Sequence, residues 1–205
     1  MQTLWKSYKQ GLKNEHGKVK WEIGKWQQQT GTIQTCKNGF HASSRAIDAM
    51  RYVNCEVLAI VEVKGKKDEE KDKSAHEYMR IKKAYIWKKG DSIALAIYAA
   101  ELVIGVYEKK FPNDDRPRKA IEAAKAYLEN PTGAADAAAY AAAYAAYAAA
   151  DAAAYAAADA ADAAAYAAYA AAYAAADAAA DAGKILDQCE AFIQKRIKTL
   201  EEIKQ

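Results

Sequence analysis

The chain has 205 residues and a formal net charge of only +3, long enough for one large domain or two small ones, each with a real core. That small charge hides two halves of opposite sign: residues 1–90 hold 19 Lys/Arg against 10 Asp/Glu, and residues 91–205 hold 11 against 17, which argues for two modules. Three cysteines, Cys36, Cys55 and Cys189, make an odd number without metal-like spacing, which excludes a disulfide framework and suits a reducing cytoplasm. The N-terminus has no apolar core of a signal peptide.

Taken in chain order, residues 1–90 mix short strand-like runs with turns. Val19–Ile23 alternates and stops at Gly24, and Gly31–Cys36 is a second candidate strand ending near Asn38-Gly39. Ser43 or Ser44 can cap a short helix over Arg45–Tyr52, with Ile47, Met50 and Tyr52 facing inward. Val57–Val63 is the strongest strand and ends at Gly65. Lys66–Ser74 reads as a nine-residue charged loop, and Met79–Trp87 as a further strand. The expected product is a small basic α+β domain over 1–90.

Helical periodicity begins after Gly90. Ile93, Ile97, Ala100, Ile104 and Tyr107 recur at three- and four-residue spacing over 91–110, which predicts an amphipathic helix. Phe111–Asp115 interrupts it. Asp114 or Asp115 is the natural N-cap of a second helix, with Pro117 in its first turn, running through Ile121, Ala124 and Leu128 to Asn130–Gly133.

The tract 134–182 consists only of Ala, Tyr and Asp, and neighbouring Tyr or Asp positions lie three or four residues apart. Tyr140, Asp151, Asp162 and Tyr173 form one eleven-residue row, and Tyr144, Tyr155, Tyr166 and Asp177 another. That period keeps the side chains on one broad face, with bare alanine opposite. Alanine makes helix the expectation, and since one unbroken rod would be about 74 Å long, two or three helices folded back on one another are favoured. Its spaced aspartates are expensive in a bilayer. After Gly183 a last amphipathic helix carries Ile185, Leu186, Cys189, Phe192, Ile193, Ile197 and Leu200. The expected architecture is α+β overall: a small α+β domain over 1–90, then an alanine-rich all-α bundle over 91–205.

The run Ala94–Glu129, and within it Phe111-Pro-x-Asp-Asp-Arg-Pro-Arg-Lys-Ala-Ile-Glu, resembles the immunity protein family numbered five among polymorphic toxin systems, over roughly 91–205. The resemblance implies a compact helical protein that neutralises a toxin, with relatives in phage genomes. This chain uses Tyr and Asp in the tract where many relatives mix in His, Arg and Trp. The first 90 residues resemble an uncharacterised phage domain of unknown function, through Tyr8, Ile23-Gly24-Lys25, Cys36, Gly39-Phe40-His41-Ala42 and Val61-x-Val63-x-Gly65. This implies a phage or mobile-element origin rather than an activity.

Each motif has a plainer reading beside the functional one. Asp114, Asp115, Arg116 and Arg118 cap and brace a helix start, or the two guanidinium forks hold an anionic group. Tyr140, Tyr144, Tyr147, Tyr155, Tyr166 and Tyr169 build a core among alanines, or present a stacking and binding face. Asp151 and Asp162 face water or line a polar groove, because aspartate is seldom buried unpaired. Gly39-Phe40-His41-Ala42, before a helix and a strand, has a faint likeness to ADP-ribosyltransferase cores, with Glu77 as the guessed catalytic carboxylate; the plainer role for His41 is to stabilise a turn. His16 and His76 stand in polar contexts without a metal or triad pattern. Lysines and tryptophans of the first half are scattered, so a solvated face explains them more cheaply than nucleic acid.

These readings predict a non-enzymatic, cytoplasmic protein without cofactor or metal, which neutralises an antibacterial toxin or a defence effector of the bacterial host cell by stoichiometric binding. The alternative is a sponge for a nucleotide-type immune signal in a groove of Tyr, Asp and the two arginines, and the third reading is the transferase centred on His41. Membrane and nucleic acid are not expected partners, and oligomeric state is left open.

Overall fold

The computed structural model describes residues 1–14, 20–51, 53, 55–130 and 183–204. It is an α+β structure, an antiparallel sheet with helices, and the chain clusters into two compact units. The first unit is Met1–Lys89 together with Glu190–Gln205; the second is Gly90–Cys189.

The first unit is built on a hairpin of two thirteen-residue strands, β4 (Val57–Glu69) and β5 (Ser74–Ile86). Before it come β1 (Gln2–Tyr8), β2 (Gln27–Gln28), β3 (Phe40–Ala42) and a four-residue helix, α1 (Ala46–Ala49). β1 runs antiparallel along one edge of β4, from Gln2 opposite Val63 to Tyr8 opposite Val57. Val57–Ala59 and Val61–Val63 are all buried, so this run of the strand is covered on both faces, as its near-continuous apolar sequence requires.

Four separate pieces of chain cover the outer edge of β5 in turn. β3 pairs with Ser74–His76, β2 pairs with Tyr78-Met79, Ile23 bridges Ile81, and the C-terminal Glu202 bridges Tyr85. The backbone amides of Ile86 and Ile203 donate to Glu201 and Ala84 across that last junction, at 3.0 and 2.8 Å. The sheet also curls back on itself. Trp5 of β1 and Ser43, the residue after β3, exchange both backbone bonds at 2.8 and 2.9 Å, so its two sides meet at a single bridge. Leu4, Tyr8, Trp21, Val61, Val63, Met79 and Ile81 fill the inside, with Ile203 packed against them.

Several expectations for this half change. Lys66–Glu69 belongs to β4, not to a charged loop, and pairs Lys67, Asp68 and Glu69 with His76, Ala75 and Ser74. Only 70–73 forms the turn. The strand crosses Gly65 because that residue takes φ +82° at a register shift, and a Cβ there would sit 2.8 Å from both Glu77 and Tyr78 side chains. Gly31–Cys36 is a turn region rather than a strand, and Ile23 makes only an isolated bridge. Val19 and Tyr52 lie outside the described residues.

The last helix, over 183–197, was expected wholly within the helical half. From Glu190 onward the chain belongs to the first unit. Ile193 and Ile197 are buried, and the Glu190 carboxylate accepts the backbone N–H groups of Ala46 and Ile47 at 3.1 and 3.0 Å. A carboxylate from far along the chain thus satisfies two open donors at the start of α1.

The second unit contains α2 (Lys89–Lys110, from Gly90 on) and α3 (Arg116–Glu129). Ile97 and Ile104 of α2 pack with Ile121 of α3, and Ile93, Ala100 and Ala124 complete the patch, the face that the three- and four-residue spacing predicts. Residues Lys89–Lys109 are long and apolar enough to cross a bilayer by length and composition alone; a core helix of a soluble protein has the same properties. The alanine tract 134–182 lies outside the described residues.

Candidate functional site

A concave feature of the first unit opens where the curled sheet is held by the Trp5–Ser43 bridge. It is a cavity of about 290 Å³, with Trp5, Lys6 and Ser7 of β1 on one side and His41, Ala42 and Ser43 on the other. An adjoining hollow of about 300 Å³ shares Lys6, Asn14 and His41 with it.

The rim is fixed by a tightly tied loop. Asp68, on the hairpin arm, accepts from the Thr35 amide and hydroxyl at 2.7 and 2.8 Å, which holds its carboxyl below the usual range. The Asn38 side-chain amide donates to the Thr30 and Thr32 carbonyls at 2.8 and 3.0 Å. Cys36 takes a left-handed φ of +60°, uncommon for a residue with a side chain, and presents its amide to His41 Nε2 at 2.9 Å. Nε2 is therefore spent on the turn as an acceptor, which leaves the proton of the neutral ring on Nδ1. Burial first, then the Lys6 and Lys73 charges, pushes the His41 pKa down, so the neutral ring that this geometry needs is favoured.

Lys6 is a part-buried charged group at the cavity. Its Nζ donates to the His41 carbonyl at 2.7 Å and stands 5.6 Å from the centre of the Tyr8 ring. Burial alone lowers its pKa to about 8. Lys73 differs, because the Glu70 carboxylate lies 3.4 Å from its amine. Cys36 and Glu70 hold Lys73 strongly protonated.

His76 is buried on β5, and its Nε2 lies 2.8 Å from the Ser74 hydroxyl. This corrects the expectation of a polar setting: β3 covers it, and burial lowers its pKa. Glu77, the guessed catalytic carboxylate, accepts the Lys66 amide at 3.0 Å beside the Gly65 bulge and does not line the cavity.

Residues 2–90 match the family described as a domain of unknown function, DUF7666. The matched stretch and the first unit's N-terminal part run together, Met1–Lys89. No curated protein and no solved structure matches the chain. The described residues that line the cavity all fall within the matched stretch.

The charged cluster expected to bind is in the second unit and is paired within it. Arg116 makes a fork on Asp114, with Nε to Oδ1 at 2.8 Å and Nη2 to Oδ2 at 2.6 Å, while the Tyr107 hydroxyl donates to the same carboxylate at 2.7 Å. These partners hold the Asp114 carboxyl far below its ordinary range. Arg118 forks onto Glu108 of α2 with two bonds of 2.7 Å, and Asp115 pairs with Lys119 at 2.8 Å. The second fork ties α3 to α2, the bracing reading of the motif. Tyr140, Tyr144, Tyr147, Asp151, Tyr155, Asp162, Tyr166 and Tyr169 lie outside the described residues.

The sequence reading passed over Lys6 and Ser7. The signal was the β-prone Thr3-Leu4-Trp5 and Tyr8 about them, but alternation alone does not say that a lysine in it turns inward.

Proposed function

We propose that this chain is a binding protein that neutralises an antibacterial toxin or defence effector of the bacterial host cell by stoichiometric association, without turnover. The observation that carries this reading is the state of His41: a ring whose Nε2 already accepts the Cys36 amide of its own turn is a structural clip, not a free general base. The position of Glu77 supports the same side, since its carboxylate is bound at the bulge away from the cavity. The self-paired forks of Arg116 and Arg118 favour a protein partner over a nucleotide held in a Tyr, Asp and arginine groove, because a phosphate would have to displace a carboxylate already in bidentate contact. In this proposal the alanine tract folds with α2 and α3 into an all-helical bundle whose Tyr and Asp face meets the partner, as the immunity-family resemblance implies.

The test is co-expression of the full chain with a panel of antibacterial effectors in a sensitive host. Growth rescue by one effector's cognate pairing, with a complex of fixed stoichiometry on size exclusion, is the expected result, and His41→Ala should leave rescue nearly intact if it still folds. NAD consumption by the wild type that stops in His41→Ala would replace this reading with the transferase.

A further inference from the structure

The cavity at the sheet closure holds a positive charge that no carboxylate among the described residues balances. Lys6 reaches a carbonyl and an aromatic ring, and no carboxylate among the described residues pairs with it. A part-buried ammonium with one neutral acceptor lacks the counter-charge that such groups otherwise have. Next to it the Ser7 hydroxyl is buried without a hydrogen-bond partner among the described residues; its polar neighbour is the Cys55 thiol, a weak donor and acceptor. Both residues line the same cavity. Strand alternation adds a third group, because the Ser7 backbone N–H points to the same edge as that of Trp5, just beyond the bridge to Ser43. Apolar surfaces of Trp5, Ala42, Ala49 and Val53 also line it. A site with one part-buried charge, a backbone donor and an apolar wall fits the usual composition of a small-molecule pocket, at the small end of its size range.

We propose that this cavity binds a compact organic anion, a single phosphate or carboxylate group on a body of about one ring, with the anion on the Lys6 amine and the Ser7 backbone N–H and the ring against Trp5 and Val53. Lys73 at the rim contributes field rather than direct neutralisation, since Glu70 already pairs with it. The rim loop tied by Asp68, Asn38 and His41 is preorganised, so binding needs little ordering of the walls. This site is independent of the partner surface proposed for the second unit.

Phenyl phosphate, benzoate and inorganic phosphate, each titrated calorimetrically into the full chain at neutral pH, test the proposal and separate phosphate from carboxylate as the recognised group. The expected result is saturable one-to-one binding of phenyl phosphate or benzoate, tighter than inorganic phosphate. Lys6→Met should weaken it tenfold or more. Should Lys6→Met not fold, protection of Lys6 from acetylation by the bound probe, read by mass spectrometry on the wild type, takes its place. Absence of saturable binding by all three probes at millimolar concentration overturns the proposal. So does equal affinity in a folded Lys6→Met, or acetylation of Lys6 that no probe slows.

Discussion

At the scale of single residues, the first unit has uncompensated polar groups close together on β1. The Tyr8 hydroxyl is wholly buried without a partner among the described residues, and an orphaned buried hydroxyl costs about 1–3 kcal/mol. Tyr8→Phe keeps the ring contact with Trp21, whose centroid is 5.9 Å away, and should raise the thermal midpoint; a lower midpoint would mean that the hydroxyl is bonded after all. Lys6 has a pH signature. Its folded pKa of about 8 lies below the model-peptide value of 10.5. Between those values the unfolded chain holds a proton that the native one has released, so the Lys6 contribution makes stability rise with pH across this window. The penalty at neutral pH is roughly 3 kcal/mol by the usual conversion, and His41, Lys73 and Glu70 are the charged or titratable groups about the same cavity. Lys6→Met should be more stable than wild type at pH 7, with the difference shrinking toward pH 10.5. Urea melts of both proteins across that range would show it, and a difference that stays constant with pH would contradict it.

At the scale of elements, short pieces depend on partners distant in sequence. α1 has four residues and its N-cap, Arg45, makes no side-chain cap bond; a helix of one turn does not persist by propensity. Glu190 supplies the missing acceptor from 144 residues away. Glu190→Gln removes the charge at that N-terminus while leaving an amide oxygen, and should cost about 1 kcal/mol; Glu190→Ala should cost more, up to about 2 kcal/mol. Equal stability of the alanine variant and the wild type in denaturant melts would show that α1 is held by packing alone. By contrast α2 and α3 follow directly from their spacing, and the break between them follows from Pro112 and the Asp114–Arg116 fork.

At the scale of the whole molecule, the C-terminal segment is a structural part of the first unit. Residues 1–89 expressed alone lose the strand-like pairing of 201–203 with Ala84–Ile86 and the apolar contribution of Ile193, Ile197 and Ile203. Such a fragment should aggregate or unfold non-cooperatively, because an open edge of β5 is exposed, and a peptide of residues 190–205 added in trans should restore a cooperative melt. A stable, cooperative 1–89 fragment would show the segment to be dispensable. Much of this protein was legible in its residues alone: the α+β class, the strength of Val57–Val63, the helices about Ile97 and Ile121, and the turn role of His41. These are local facts, written in periodicity, helix-start residues and glycine positions within a few residues of where they act. The hairpin arm through Lys66–Glu69 was not legible, since charged residues pair as strand only where a neighbour such as β5 supplies the ladder. Nor were the docking of Glu190 on α1, the inward turn of Lys6, or the cavity at the Trp5–Ser43 bridge. Each of these joins residues far apart in the chain, and only the closed tertiary structure decides which distant groups meet and which charges are left without a partner.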